Sequence, residues 1–96
     1  MPLYVTLAKY TQQGRQNING VPERFQHARR LVESKGGKVV AIYALLGEWD
    51  LMAITESPDE KTAMSIAMAI GKQGNISAQT MTAVSEEDFA NLARSV

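Results

Sequence analysis

From Leu3 to Tyr10 apolar bulk falls on both sides of a pleat, with Leu3, Val5 and Leu7 on one side and Tyr4, Thr6, Ala8 and Tyr10 on the other. This alternation predicts a strand. Thr11 to Gly20 is polar, with Gly14 and Asn19-Gly20 as breakers, and predicts a turn or one loose helical turn. Pro22 suits the first position of a helix, and Phe25, Ala28, Leu31 and Val32 form an apolar stripe that ends at Gly36-Gly37. Lys38 to Leu46 is rich in Val, Ile, Leu and Tyr, as expected of a strand buried on both faces, and Leu51 to Glu56 is a second, shorter one. Gly47-Glu48-Trp49-Asp50 between them predicts a tight hairpin connection. Ser57-Pro58-Asp59-Glu60 has the spacing of a capping box with proline at the first helical position, and a helix is expected from there to about Ile70. Gly71 and Gly74 end it. Ile76 to Val84 alternates as a fourth strand. Ser85-Glu86-Glu87-Asp88 opens a terminal helix, with Phe89, Leu92, Ala93 and Val96 as its stripe.

Strand, helix, strand, strand, helix, strand, helix is the order of an α+β, ferredoxin-like βαββαβ sandwich with an added C-terminal helix. The expectation is one domain over residues 1–96, with helices on one face of a four-stranded antiparallel sheet. Such a sandwich leaves the other face uncovered. On Lys38 to Leu46 that face presents either Val39, Ala41, Tyr43 and Leu45 or Val40, Ile42, Ala44 and Leu46; Tyr4, Ala8 and Tyr10 join it if Leu3, Val5 and Leu7 meet the helices. At ~25 cal/mol per Å², leaving several hundred Å² exposed forgoes on the order of 10 kcal/mol, comparable to the stability of a whole domain. Packing against a second copy recovers it and gives a dimeric α+β barrel. The competing arrangement lays the terminal helix, Glu86 to Arg94, across the open face of its own sheet. On the preceding helix Ala63, Ile66, Ala67 and Ile70 form the inward stripe, and Met64 and Met68 widen it, either as a further subunit contact or as deeper core.

Composition narrows the chemistry. The 96 residues hold ten acidic and ten basic side chains, so no net field draws nucleic acid or an anionic membrane. With no cysteine and one histidine, neither a disulfide framework nor a thiolate or multi-histidine metal site is expected, and no cofactor is expected. Met1 to Tyr10 lacks the pattern of a signal peptide and no run approaches a membrane span, so a soluble, cytoplasmic protein is the expectation.

Seven residues are candidates for a site. Glu48 and Asp50 flank Trp49, and two carboxylates around an aromatic can bind a cation or do acid–base work; the structural alternative is an ordinary hairpin, with Gly47 at positive φ, a local bond from Asp50, and Trp49 packed on an edge. His27 lies at the edge of its helix stripe, where it can reach a pocket as a base or haem ligand or stand as a capped surface side chain. Tyr4, Tyr10 and Tyr43 can line a cavity or serve as core and interface aromatics. The glycine pairs lack the following Lys-Ser/Thr of a phosphate loop. Arg24, Arg29 and Arg30 read as a solvated basic face offset by Glu23 and Glu33.

The Gly47-Glu48-Trp49-Asp50 hairpin is similar to the signature of the GYD-domain family, with Trp49 in place of the family's tyrosine. Tyr10-Thr11 with Gly14, Leu31-Val32-Glu33 followed by Ser34 to Gly37, Ser57 to Glu60, Gly74-Asn75-Ile76 and Ser85 to Phe89 resemble the same family in the same order. The resemblance implies a ferredoxin-like domain of the dimeric α+β-barrel type. It implies no particular chemistry, and loss of the phenol at Trp49 removes any role for that hydroxyl. The function expected is an oligomeric module that binds a small, partly apolar molecule or serves assembly, with a further copy of itself as partner. The alternative is a cofactor-free enzyme of monooxygenase or isomerase type, by analogy of fold. An effector-sensing domain is a third class, weakened by the lack of a DNA-binding helix pair.

Overall fold

The computed structural model describes residues Met1–Val96. Its elements are β1 (Leu3–Tyr10), α1 (Gln12–Gln16), a 3₁₀ turn (Ile18–Gly20), α2 (Val21–Ser34), β2 (Lys38–Ala44), β3 (Leu51–Glu56), α3 (Glu60–Gly71), β4 (Ile76–Ala83) and α4 (Glu86–Arg94). The strands form one antiparallel sheet in the order β2-β3-β1-β4, and α2 and α3 lie on one face of it. This is the ferredoxin-like α+β arrangement that the element order predicts.

The register fixes which side of each strand meets the helices. Tyr4, Thr6, Ala8 and Tyr10 of β1 turn toward α2 and α3, with Thr55, Ala53 and Leu51 beside them on β3 and Thr80, Ala78 and Ile76 on β4. Leu3, Val5 and Leu7 therefore belong to the open face. On β2 a bulge between Val39 and Ala41 makes Val40 an extra residue, so Val39 and Ile42 both face the helices while Ala41 and Tyr43 face away. Neither strictly alternating set expected for this strand is present, because a bulge resets the period of two.

Local starts and stops also depart from the sequence pattern. α3 begins at Glu60, capped by Asp59, whose Oδ1 accepts from the Thr62 N–H at 2.8 Å. Ser57 is not the cap. Its N–H donates to the Pro2 carbonyl at 3.1 Å, which holds it at the strand exit and leaves Pro58 outside the helix. α2 starts at Val21, one residue before Pro22. Gly14 does not break structure but sits inside α1: a Cβ there would lie 2.1 Å from the Asn75 carbonyl oxygen, an approach only glycine permits. Thr11 caps this helix, accepting from the Gly14 N–H at 3.1 Å, while its own N–H donates to the Asn75 carbonyl at 3.1 Å. The β1–α1 corner is thereby clamped to the loop that leads into β4.

α4 forms where Ser85 and its acidic first turn predict it, with Ser85 Oγ accepting from the Asp88 N–H at 3.0 Å. It does not roof the sheet. No extended packing joins it to another element, and Phe89 and Leu92 stay 63% and 58% exposed. The Cα radius of gyration, 14.4 Å, exceeds the roughly 12.5 Å of a compact chain of this length, as an outlying helix requires. Met64 and Met68 are likewise exposed, so they are not part of a thick core. No helix is long and apolar enough to cross a membrane.

Candidate functional site

Between the sheet and the layer of α2 and α3 lies a cleft of ≈ 160 Å³. Its walls are mainly apolar, with Phe25 and Val32 from α2, Ile66 and Ile70 from α3, and Ala8 and Ile42 from the sheet. The gap follows from the side chains the sheet offers: Thr6, Ala8, Ala53, Ala78 and Thr80 are too short to fill the distance to the helices.

Three of the seven candidate residues line this cleft: Tyr4, Tyr10 and His27. Tyr4 is 3% exposed, and its hydroxyl has no hydrogen-bond partner within the protein. Burial raises its pKa above the usual phenol value, and the charges of Glu60 and then Asp59 push it in the same direction. His27 meets the Gln73 side-chain amide, Nε2 to Nε2, at 2.9 Å on the exposed rim. Tyr10 gives its backbone N–H to Asp50 Oδ2 at 2.9 Å.

The other four lie elsewhere. Tyr43 is on the opposite face of the sheet and 52% exposed. Glu48, Trp49 and Asp50 occupy the β2–β3 connection, where Gly47 takes φ of 119°. Lys9 Nζ stands 4.9 Å from the centre of the Trp49 ring and 3.7 Å from Glu48 Oε1. Exposed pairs of this kind contribute about 1 kcal/mol or less. Asp50 does more: its N–H donates to the Ala8 carbonyl at 2.9 Å, its carbonyl accepts from Leu45 at 2.8 Å, and its carboxylate takes the Tyr10 N–H. It therefore ties the hairpin back to β1, across the end of the ladder. The two carboxylates hold different partners, Glu48 the Lys9 ammonium and Asp50 the Tyr10 amide.

Two cleft residues escape sequence reasoning. Ser57 is 2% exposed, and its Oγ has no partner within the protein; the capping spacing had assigned that hydroxyl to the helix end. Arg24, assigned to a solvated face, donates from Nη1 to the Asn17 carbonyl at 2.8 Å and leaves Nη2 buried without a partner. A buried polar group left unpaired costs about 1–3 kcal/mol, so three in one cleft mark it as polar where it counts and otherwise oily.

The comparisons with known proteins agree with this architecture. The GYD domain model matches residues 4–93. A protein of Thermus thermophilus named glutamine synthetase and cystathionine beta-lyase binding protein is 28% identical over 90 residues, which is 93% of this chain and 95% of that one. Among solved structures, the crystal structure of MtbAldR superposes with a TM-score of 0.69 at 15% identity, over 88% of this chain but only 53% of that one. The crystal structure of FFRP-DM1 gives 0.61 at 20% identity, over 88% of this chain and 100% of the other. At these identities the structural likenesses establish the fold alone. The match to the family model spans nearly every element described above, and this chain belongs to the GYD-domain family.

Proposed function

We propose that this chain is a small, non-catalytic binding module that pairs with itself through the open face of its sheet and, so assembled in the cytoplasm, docks on other proteins. The observation that supports it is the composition of that face. Ala41, Ile54, Val5 and Met81 form one apolar row across all four strands, and Tyr43, Met52 and Leu7 continue into a second. α4 leaves both rows uncovered and carries its own exposed stripe. Two such faces together make the barrel of the dimeric α+β type. Docking on another protein draws on the Thermus relative, which is named for binding two enzymes.

Catalysis has less to rest on. His27 pairs with Gln73, Glu48 with Lys9 and Asp50 with Tyr10, each at a different place, so no acid and base meet over a common point.

Light scattering on the purified chain at high micromolar concentration tests self-pairing. The expected mass is that of a dimer or larger assembly, and Val5→Glu with Ile54→Glu should give a folded monomer. A wild-type monomer would sink the pairing. Docking is tested by surface plasmon resonance against purified glutamine synthetase and cystathionine beta-lyase from the same organism as this chain.

A further inference from the structure

We propose that the cleft between the helices and the sheet is a binding site for an uncharged, ring-sized molecule that carries one hydroxyl or carbonyl group and seats it on Tyr4 and Ser57. Size comes from the space available. The cleft measures ≈ 160 Å³, and an apolar cavity of about 150 Å³ accommodates benzene. Phe25, Val32, Ile66 and Ile70 suit an apolar body.

The polar end is fixed by the two orphan hydroxyls. Both belong to residues less than a tenth exposed, and both line the cleft. They share one end of it: Ser57 N–H reaches the Pro2 carbonyl, and Tyr4 pairs with Thr55 two residues before Ser57. A hydroxyl donates once and accepts twice, so the pair can hold either a carbonyl or a hydroxyl oxygen without a charged partner. Charge on the ligand is selected against. Glu60 and Asp59 already oppose ionisation of Tyr4, and their field opposes a ligand carboxylate at the same spot. An ammonium would lose its hydration beside two neutral hydroxyls, and the third unpaired group of the cleft, Nη2 of the Arg24 guanidinium, would repel it.

A way in is present. Tyr4, Ala63, Ala67 and Thr80 line both the cleft and a shallow groove bounded by Glu60, Met64 and Thr82, so the mouth opens between α3 and β4. Met64, 64% exposed at this rim, is an unbranched side chain that can swing aside.

The test is titration of the full chain with phenol, followed by amide shifts in proton–nitrogen spectra and by calorimetry, with benzene and benzoate as controls. Phenol should shift the amides around Tyr4, Ser57 and Ala63 saturably. Benzene and benzoate should each bind at least about tenfold more weakly. Tyr4→Phe and Ser57→Ala should each weaken phenol and leave benzene unchanged. Because both hydroxyls lack partners, both variants should stay folded, with melting temperatures at or above that of the wild type. No saturable shift at the cleft, or phenol, benzene and benzoate binding alike to the unmodified protein, overturns the site. The site needs only one copy of the chain, so its failure would leave self-pairing and docking standing.

Discussion

The Tyr10 amide and the Asp50 carboxylate, forty positions apart, meet at 2.9 Å and join the end of the first strand to the hairpin between the second and third. The bond is charge-assisted, and such bonds to ionised groups contribute about 1.5–3 kcal/mol. Asp50→Ala should lower unfolding free energy by about that amount, measured by urea denaturation at neutral pH. Glu48→Ala, which touches only an exposed lysine, should change it by about 0.5 kcal/mol or less. Equal effects from the two would show that the hairpin is not anchored through Asp50.

Gly14 makes the sharpest steric prediction. A methyl group there collides with the Asn75 carbonyl, which is itself held by the Thr11 N–H. Gly14→Ala should destabilise by about 1–3 kcal/mol despite alanine's higher helix propensity. The readout is the urea midpoint at constant slope. A neutral or stabilising substitution would mean that the α1 corner is looser than its geometry.

Acid should reveal the cap of α3. The Thr62 hydroxyl, and next its N–H, hold the Asp59 carboxyl below its ordinary pKa; burial opposes them less strongly, and the Lys61 charge adds the smallest contribution in their favour. A depressed folded pKa stabilises the fold above the unfolded value of about 3.9, and that stability is lost as pH falls through the folded value. Asn caps well but does not titrate, so the stability gap between wild type and Asp59→Asn should change as the pH drops below about 4, with the wild type losing more. Parallel pH profiles for the two proteins would remove Asp59 from the acid response.

Met64 and Met68 are exposed at 64% and 68% on the outer side of α3. Their joint replacement by Glu should leave the monomer's melting temperature nearly unchanged, since exposed sites usually shift stability by about 0.5 kcal/mol or less. If this surface joins subunits, the mass by light scattering should fall. A stable fold with unaltered mass would exclude this surface as a subunit contact.

The order of elements was legible because each strand and long helix carries its own period, and the caps at Ser85 and the stop at Gly36-Gly37 announce themselves. What sequence could not resolve was competition. Ser57 and Asp59 both make good caps, and the backbone settled it by using Ser57 at the strand exit. Nothing local marks Val40 as an extra residue, and a single insertion reassigns every side chain after it. The cleft was half visible. Tyr4, Tyr10 and His27 carry recognisable groups, whereas Ser57 Oγ and Arg24 Nη2 matter only because no partner reaches those two atoms, and that depends on distant packing.

The irregularity at Val40 lies in β2, a border strand of the sheet, and its effect reaches past its own neighbours. A straight border displays an even row of amides and carbonyls on which another chain can continue the ladder without limit. With one residue out of step that template is spoiled on one flank, and growth by strand addition loses its footing. Under the self-pairing proposed above, union through faces closes after a fixed number of copies, and this kink would then favour a finite particle over a fibre.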